Sequence, residues 1–401
     1  MFHTADARDV KAGKVTDVYF DRTMRILRAK GMDARVRMEI IAKTLPDGWD
    51  WAVFAGVEEV SELLLGLPVN VRSMPEGTVF FPCQPVMEIE GNYTDFGHYE
   101  TAVLGLVCQA SGIATKAARV KKLAGERPVI SFGARRMHPV LAPMIERNAY
   151  IGGCDGVSVM KSAELIGHDP MGTMPHALIL IFGDTLKAVK AFDEVIEHGA
   201  ARTALIDTFQ DEKFEAIRVA EAMGDKIYAM RLDTPGSRRG NFYRILEEVR
   251  WELDLRGHKG VKLFVSGGIG ERDIPVLNPV VDGYGIGTSI ANAPVVDFSM
   301  DIVEINGIPV SKRGKLSGAK SVIRCLSCLC DMVVPFADGH RRCECGGEMN
   351  DILLPLMREG KLIPELPGPD AIREKVLRAV RRLASPSPPA PLPVAGEGGR
   401  I

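Results

Sequence analysis

Two stretches in the second half of the chain, KLFVSGGI at 262–269 and GYGIGTSI at 283–290, each join a short apolar run to a turn rich in glycine. An apolar run of this length, bounded by turn residues, predicts a buried β-strand. The turn after it predicts a phosphate-binding loop, because glycine lets backbone N–H groups approach an anion and Ser266, Thr288 and Ser289 add hydroxyl donors. The pair therefore indicates an α/β fold whose strand ends bind an anion.

Similar apolar runs recur upstream with helical patterns between them. They are VISFG at 129–133, GVSVM at 156–160, ALILIFG at 177–183, TALIDT at 203–208 and IYAMRLDT at 227–234. Strands that alternate with helices predict parallel pairing, and about seven such units favour a closed or nearly closed βα barrel. A doubly wound open sheet is the alternative architecture.

Polar residues follow most of these predicted strands. In a βα barrel the strand ends gather on one rim, where active sites lie. Arginine offers a planar fork that suits carboxylate or phosphate, so a strongly anionic substrate is expected. The residues concerned are Arg135, Arg136, Asp207, Arg231, Asp233, Ser266, Gly267, Gly268, Gly285, Gly287 and Thr288.

The sequence divides into four parts. Residues 1–110 predict an α+β domain, because short antiparallel strands with turns are expected at 68–90 and a long helix at 97–124. Residues 111–300 hold the predicted catalytic barrel, and residues 301–384 form a C-terminal segment. The tail at 385–401, SPSPPAPLPVAGEGGRI, is rich in proline and glycine and predicts disorder.

The overall composition favours small-molecule chemistry. The 401 residues are 46% hydrophobic with a formal charge of -2, which argues against nucleic acid or a membrane surface as the main partner. No apolar run of the sequence approaches the length of a membrane span, and the first residues lack a signal-peptide core. A cytoplasmic protein is the expectation.

Five of the eight cysteines lie between 325 and 345. Cys325 and Cys328 form one pair and Cys343 and Cys345 a second, the arrangement in which four thiolates hold a structural Zn²⁺. We therefore expect a zinc knuckle at 325–347, with Cys330 as a spare thiol that is an alternative ligand. In a reducing compartment a metal site is favoured over disulfides.

Several of these motifs, taken in order, resemble nicotinate phosphoribosyltransferase in a form similar to the archaeal enzymes. The motifs are TDVYFDRT (16–23), FGARRMHP (132–139), GTMPHALI (172–179), LIDTF (205–209), RLDTPG (231–236), VSGGI (265–269) and YGIGTS (284–289). The resemblance implies a type II phosphoribosyltransferase fold, with an N-terminal α+β domain against an irregular seven-stranded α/β barrel. It also implies a homo-oligomer in which the N-terminal segment of one subunit reaches a neighbour's active site.

The resemblance further implies roles for individual residues around nicotinate. Tyr19 matches the aromatic residue that stacks on the pyridine ring, and Thr173 and Arg231 match positions that contact nicotinate. His176 falls on the histidine that ATP phosphorylates in members that couple ATP hydrolysis to synthesis. From its position before an apolar run alone, His176 would instead be a structural residue.

The same resemblance places the second substrate, phosphoribosyl pyrophosphate (PRPP), on the glycine-rich loops. Thr288 matches a phosphate contact, and Ser266, Gly267, Gly268, Gly285 and Gly287 are expected to complete that cradle. Arg135 and Arg136 are expected to hold pyrophosphate, and Asp207 and Asp233 to bind Mg²⁺ or ribose hydroxyls.

Three rival interpretations remain at this point. Quinolinate phosphoribosyltransferase shares the fold, and a nicotinamide-specific enzyme differs by few contacts. From another class, the cysteine cluster is compatible with a zinc-containing nucleic-acid-binding or scaffold protein built on an inactive barrel.

Overall fold

The computed structural model describes residues 2–197, 199–336 and 341–383. The tail predicted to be disordered, 385–401, lies outside the described residues.

The strands of the described residues vary from two to eight residues in length. In chain order they are β1 (Arg35–Ile41), β2 (Ala52–Val53), β3 (Asn70–Ser73), β4 (Val79–Phe80), β5 (Pro85–Asn92), β6 (Val129–Ser131), β7 (Gly156–Val157), β8 (Thr203–Leu205), β9 (Ala229–Leu232), β10 (Lys262–Val265), β11 (Gly283–Ile286), β12 (Ser299–Ile305), β13 (Ile308–Pro309), β14 (Lys320–Cys325), β15 (Asp331–Pro335), β16 (Arg341–Arg342), β17 (Glu348–Asp351), β18 (Leu354–Arg358) and β19 (Lys361–Leu362).

The helices connect and cover these strands. In chain order they are α1 (Ala7–Lys11), α2 (Val18–Lys30), α3 (Val57–Leu64), α4 (Tyr93–Phe96), α5 (Glu100–Ala124), α6 (Ala142–Ile151), α7 (Met160–Ile166), α8 (His176–Phe182), α9 (Thr185–Val195), α10 (Glu212–Met223), α11 (Gly236–Arg239), α12 (Phe242–Leu255), α13 (Ile274–Leu277), α14 (Thr288–Ala291) and α15 (Pro369–Arg382).

The first large sheet is antiparallel and has seven strands in the order β13-β12-β1-β5-β3-β18-β19. The short antiparallel strands expected within 68–90 are confirmed as β3, β4 and β5, although β4 pairs with β2 in a small sheet of its own. The large sheet is built from both ends of the chain, because β12 lies beside β1 and β18 beside β3. Its buried face packs around Phe54, Phe80 and Phe298, whose rings lie 5.5–6.4 Å apart.

The second large sheet is parallel and has six strands in the order β7-β6-β11-β10-β9-β8. It curls into a half-barrel, and its strands are nearly all buried. Such burial on both faces is typical of parallel sheets covered by helices. The loops that bear the predicted binding residues follow the carboxyl ends of these strands.

The prediction of a strand at 177–183 is wrong. The described residues therefore form a parallel sheet of six strands and not the predicted seven-stranded barrel. This segment is helix α8, which begins at His176 after Pro175 and ends at Phe182. Gly183, which follows it, has a left-handed backbone with φ +67°. An apolar run of seven residues is compatible with either a strand or a short helix, so the pattern alone does not distinguish them. Leu180 and Ile181 are exposed in this chain, whereas a central strand would bury them.

Helix α5 contacts both large sheets, through β12 on one side and β6 on the other. The long helix expected at 97–124 is confirmed, with a 3-10 turn over its first residues. The expectation that no apolar segment reaches span length is wrong here. Residues 93–124 form the one helical stretch of the described chain long and apolar enough to cross a membrane, with mean hydropathy 1.2 and 56% of that window buried. Burial between the two sheets accounts for its apolar composition.

Two glycines of α5 have contrasting surroundings. A Cβ atom on Gly112 would lie 2.2 Å from the carbonyl oxygen of Pro294, whereas a Cβ on Gly105 would meet nothing within 4 Å. Gly112 is therefore required where the segment after α14 crosses the helix closely.

We predict that Gly112→Ala lowers the melting temperature, because overpacking at such a contact costs about 1–3 kcal/mol. The matched control Gly105→Ala should leave the melting temperature unchanged or raise it, since alanine favours an exposed helix by up to about 1 kcal/mol. Equal melting temperatures for the two variants in a thermal unfolding experiment would contradict the close contact.

Candidate active site

A cavity of about 610 Å³ opens at the carboxyl ends of the parallel strands. Most of the residues that the sequence predicted to bind an anion line it. These residues are Arg135, Arg136, Arg231, Asp233, Ser266, Gly267, Gly268, Gly285, Gly287 and Thr288. The sheet topology explains the convergence, because parallel strands place their carboxyl ends along one edge.

Arg231, at the end of β9, contacts three neighbouring polar side chains and an aromatic ring. Its Nε donates to Ser266 Oγ at 2.9 Å, and its Nη1 donates to Thr173 Oγ1 at 2.8 Å. Its Nη2 lies 3.4 Å from Asp233 Oδ2, and its guanidinium lies 5.3 Å from the centroid of the Phe132 ring. Burial lowers the pKa of Arg231 below its usual value. These contacts hold the charge in one orientation.

A smaller chamber of about 80 Å³ adjoins the large cavity, and the two share Phe132, Arg231, Ser266 and Gly285 in their linings. Its wall is mainly apolar, and among the lining residues Arg231 is the one cation and Thr173 a polar neighbour. Gly285 belongs to the wall of both spaces, and a Cβ atom there would lie 2.3 Å from the Phe132 ring. The chamber therefore suits a flat apolar group that carries a single negative charge.

The loop after β10 is shaped by two left-handed glycines, Gly267 at φ +78° and Gly268 at φ +74°. A Cβ on Gly267 would lie 2.8 Å from Asp233 Oδ1. Arg239 braces the loop by donating to the carbonyl oxygens of Ser266 and Gly267. Ser266 Oγ also donates to Asp233 Oδ1 at 2.7 Å, so the loop and the end of β9 form one hydrogen-bonded unit.

Arg135 and Arg136 occupy the 3-10 turn that follows β6. Both side chains are exposed, and neither makes a salt bridge or side-chain hydrogen bond within the described residues. The backbone beneath them is close to the last strand, since a Cβ on Gly133 would lie 2.5 Å from the carbonyl oxygen of Gly287. Two permanent charges are thus held at the cavity without an internal counterion.

His176 and Asp207 lie together, outside the lining of both cavities. His176 Nε2 lies 3.3 Å from Asp207 Oδ1 and 3.4 Å from Oδ2. The Asp207 side chain is 2% exposed, and Oδ1 lacks a hydrogen bond of acceptable geometry. Burial raises the pKa of Asp207, and the neighbouring His176 opposes that rise. His176 itself is 40% exposed, so its ring is accessible.

Comparison with known proteins agrees with this geometry. Residues 17–111 match the family model of the quinolinate phosphoribosyl transferase N-terminal domain, and residues 113–301 match that of its C-terminal domain. A nicotinate phosphoribosyltransferase of Mycobacterium tuberculosis is 30% identical over 356 residues, covering 78% of this chain and 78% of that protein. The chain belongs to the nicotinate phosphoribosyltransferase family. The resemblance drawn from the motifs is confirmed.

Two solved structures share this fold. Nicotinate-nucleotide pyrophosphorylase from Pyrococcus furiosus superposes with a TM-score of 0.93 at 53% identity, covering 95% of this chain and 98% of that one. Human nicotinic acid phosphoribosyltransferase superposes with a TM-score of 0.73 at 20% identity, covering 94% and 96% of the two chains. The latter likeness shows a shared type II phosphoribosyltransferase fold.

Six charged residues of the cavity were not predicted from the sequence, namely Asp47, Lys116, Arg119, Glu271, Arg272 and Asp273. Glu271, in the loop after β10, accepts hydrogen bonds from Lys116 Nζ at 2.6 Å and Arg119 Nη2 at 3.0 Å, both on α5. Burial alone would raise the pKa of Glu271, but the two cations lower it below its usual value. The sequence did contain a signal for Lys116 and Arg119. They lie three residues apart on an otherwise apolar helix, and such residues share one face of the helix.

Tyr19, expected from the family resemblance to stack on the pyridine ring, is not brought to either cavity of its own chain. It lies on α2 with a side chain that is 57% exposed, and its ring centroid is 4.3 Å from that of Phe20. The N-terminal helix therefore presents this ring outward.

The structure brings Cys325, Cys328, Cys343 and Cys345 together, with all four sulfur atoms within 4.8 Å of one another. The sulfurs of Cys325 and Cys345 are 3.5 Å apart, as are those of Cys328 and Cys343. Tetrahedral Zn–S bonds of about 2.3 Å would separate the sulfurs by about 3.8 Å, so the four thiols fit a zinc ion.

The loop geometry around Cys325 also suits a bound cation. Backbone N–H groups, first that of Cys328, lower the pKa of the Cys325 thiol to about 6. Cys330 lies outside the four-thiol group, and its carbonyl oxygen accepts from the Cys325 N–H at 2.9 Å. Cys330 thus stabilises the loop through its backbone carbonyl group.

Proposed function

We propose that this chain is a nicotinate phosphoribosyltransferase that joins nicotinate to PRPP and releases pyrophosphate in the salvage route to NAD. The observation that carries the proposal is the small apolar chamber whose lining includes one cation, Arg231, bonded to Thr173. Nicotinate has one carboxylate, whereas quinolinate has two and nicotinamide has none. The chamber therefore favours nicotinate over both alternatives.

The two spaces divide the substrates between them. Arg231 and Thr173 would bind the nicotinate carboxylate on the chamber side. The glycine loops with Ser266 and Thr288 would bind the phosphoribosyl phosphate in the larger cavity. Arg135 and Arg136, which lack internal counterions, would hold the pyrophosphate.

The reaction requires positioning and charge stabilisation rather than a covalent protein nucleophile. The pyridine nitrogen attacks the anomeric carbon of ribose while the bond to pyrophosphate breaks through an oxocarbenium-like state. Arginines held before the reaction stabilise the departing anion without reorganisation. The fixed orientation of Arg231 would position nicotinate, and Arg135 and Arg136 would stabilise the charge of the departing pyrophosphate.

Asp233 is the carboxylate that the cavity offers to Mg²⁺ or to the ribose hydroxyls. Mg²⁺ usually takes one or two protein carboxylates together with substrate phosphates, which the acceptor oxygens of Asp233 permit. When bound it would neutralise charge on the pyrophosphate. Asp207, for which the same role was expected, lies outside the linings of both cavities with a side chain that is 2% exposed, so its role would be to orient His176.

His176 is the residue that would receive a phosphoryl group from ATP if synthesis is coupled to ATP hydrolysis. Its exposed ring and its contact with the Asp207 carboxylate support this role, since the carboxylate orients the imidazole. A phosphohistidine adds negative charge, which alters affinity for anionic ligands.

Tyr19 would act on a neighbouring subunit of a homo-oligomer, because it faces outward in its own chain. In that arrangement its ring would stack on the pyridine ring bound in the neighbour. The enzyme would work in the cytoplasm, where NAD salvage uses soluble substrates.

We predict that the purified protein releases pyrophosphate from PRPP with a higher kcat/KM for nicotinate than for nicotinamide or quinolinate. Each base is tested with and without ATP, on the wild type and on His176→Ala. If His176 is phosphorylated, ATP stimulates the wild type, and the variant keeps a slower, ATP-independent synthesis. A higher kcat/KM with quinolinate or nicotinamide would refute the proposed substrate. A wild type indifferent to ATP would remove the phosphohistidine role alone.

Replacing Arg231 by Leu should raise the KM for nicotinate far more than the KM for PRPP. One partner of a charged hydrogen-bonded pair is lost, at roughly 2–5 kcal/mol. Arg244→Leu is the matched control, because that arginine is exposed on α12 and pairs with Glu247 away from both cavities. Steady-state kinetics with equal losses for both substrates would speak against the assignment of Arg231.

The four-cysteine group would hold a structural Zn²⁺, because all four positions of a tetrahedral site are filled by protein thiols. The site lies on the four-stranded sheet β15-β14-β17-β16, which is separate from the parallel sheet that carries the active-site cavity. The metal would therefore stabilise the C-terminal segment and take no part in the reaction.

We expect about one Zn²⁺ per chain by metal analysis of protein purified without chelators. Cys343→Ser should lower the zinc content and the melting temperature, since a ligand is lost, while Cys330→Ser should preserve both. Absence of zinc from the wild type, or equal loss in the two variants, would rule out the proposed ligand set.

A further inference from the structure

A separate cavity of about 330 Å³ lies between α15, β4 and the loop that carries the first cysteine pair. It shares no lining residue with the active-site cavity or the small chamber. Its lining combines four cations with an apolar wall. The residues are Val79, Phe81, Arg324, Leu329, Lys375, Arg378, Ala379, Arg382 and Leu383.

The four cations are weakly neutralised by the protein itself. Within the described residues, Arg324 is the cation of this lining that pairs with a carboxylate, through Nε and Nη2 to Asp331 at 2.7 and 2.6 Å. Lys375 Nζ donates to the carbonyl oxygens of Pro75 and Glu76 at 3.1 and 3.2 Å and to Thr78 Oγ1 at 2.7 Å, which occupies its N–H groups. Arg382 Nη2 donates to the carbonyl oxygen of Ser327 at 2.8 Å.

Arg378 stands out among these cations. It is exposed at the mouth of the cavity and makes no side-chain hydrogen bond or salt bridge within the described ranges 2–197, 199–336 and 341–383. Beside it, burial and the nearby Arg324 charge lower the pKa of Lys375 to about 8. Positive charge is therefore concentrated here in excess of what neighbouring carboxylates balance.

The rest of the lining is apolar and includes an aromatic ring. Val79, Phe81, Leu329 and Ala379 face the same space as the cations. A volume of about 330 Å³ lies within the range of small-molecule sites, roughly 300–1,000 Å³. An inorganic anion would contact the cations and leave the wall exposed, whereas an anion with a flat apolar body would contact both.

We propose that this cavity is a second ligand site that binds a nucleotide, with its phosphates on Arg378 and Arg382 and its base against the Phe81 wall. Arginine forks bind phosphate, the nearby Lys375 ammonium adds positive charge, and an aromatic wall suits a base. The proposal does not depend on which pyridine base the active site takes.

The test is isothermal titration of the full-length protein with ADP at low ionic strength, together with adenosine and inorganic phosphate. ADP should bind more tightly than either fragment. Arg378→Glu should weaken ADP binding by about tenfold or more, because a charged hydrogen bond to phosphate is lost and repulsion is added. Arg378→Gln should give a smaller loss. Arg381→Glu is the matched control on the same helix, since Arg381 is 67% exposed and lies outside the cavity, and it should keep wild-type affinity.

An active-site variant separates the two possible locations of bound ADP. Arg231→Leu should retain the Arg378-dependent binding if the second site is occupied. ADP binding that survives Arg378→Glu and disappears in Arg231→Leu would overturn the proposal by assigning the ligand to the active site. Failure of the wild type to bind ADP at millimolar concentration would overturn it as well. Equal melting temperatures of Arg378→Glu and Arg381→Glu would show that the loss is not a folding defect.

Discussion

The buried Arg231 guanidinium is the constraint on which the rest of the active site depends. A charge removed from water must be hydrogen-bonded, and Ser266, Thr173 and Asp233 provide those contacts from three different segments. Because the same side chain lines both the large cavity and the small chamber, fixing its position fixes a wall that the two spaces share. The absence of a Cβ on Gly285 makes room for the Phe132 ring next to the guanidinium, so this glycine also helps to position Arg231.

Helix α5 connects the two large sheets next to the cavity that Arg231 lines. It packs against β12 of the antiparallel sheet and β6 of the parallel sheet, and it carries Lys116 and Arg119 into the large cavity. Glu271 of the loop after β10 bonds to both cations, which ties the helix to that glycine-rich loop. The N-terminal half of the chain therefore contributes to the cavity through this helix and through Asp47, Gly48 and Trp49, which lie between β1 and β2.

The sequence analysis succeeded where local pattern determines structure. The runs at 129, 156, 203, 227, 262 and 283 are all strands of the parallel sheet, and their glycine loops line the cavity. It failed at 177–183, because a short apolar run has no period that separates strand from helix. The contribution of Lys116 and Arg119 depends on tertiary packing of α5. The return of β12 to β1 pairs segments that are far apart in the chain, for which no local signal exists.

The C-terminal segment offers ligands for a cation, whereas the loops of the parallel sheet offer donors for an anion. At the parallel sheet, left-handed glycines would present backbone donors to an anion. At the cysteine cluster, four thiolates would balance a divalent cation, and the loop that bears two of them also supplies Leu329 to the second cavity. Since Arg324 precedes Cys325 directly on β14, ordering of the cysteine loop by a metal would also order one wall and one cation of that cavity.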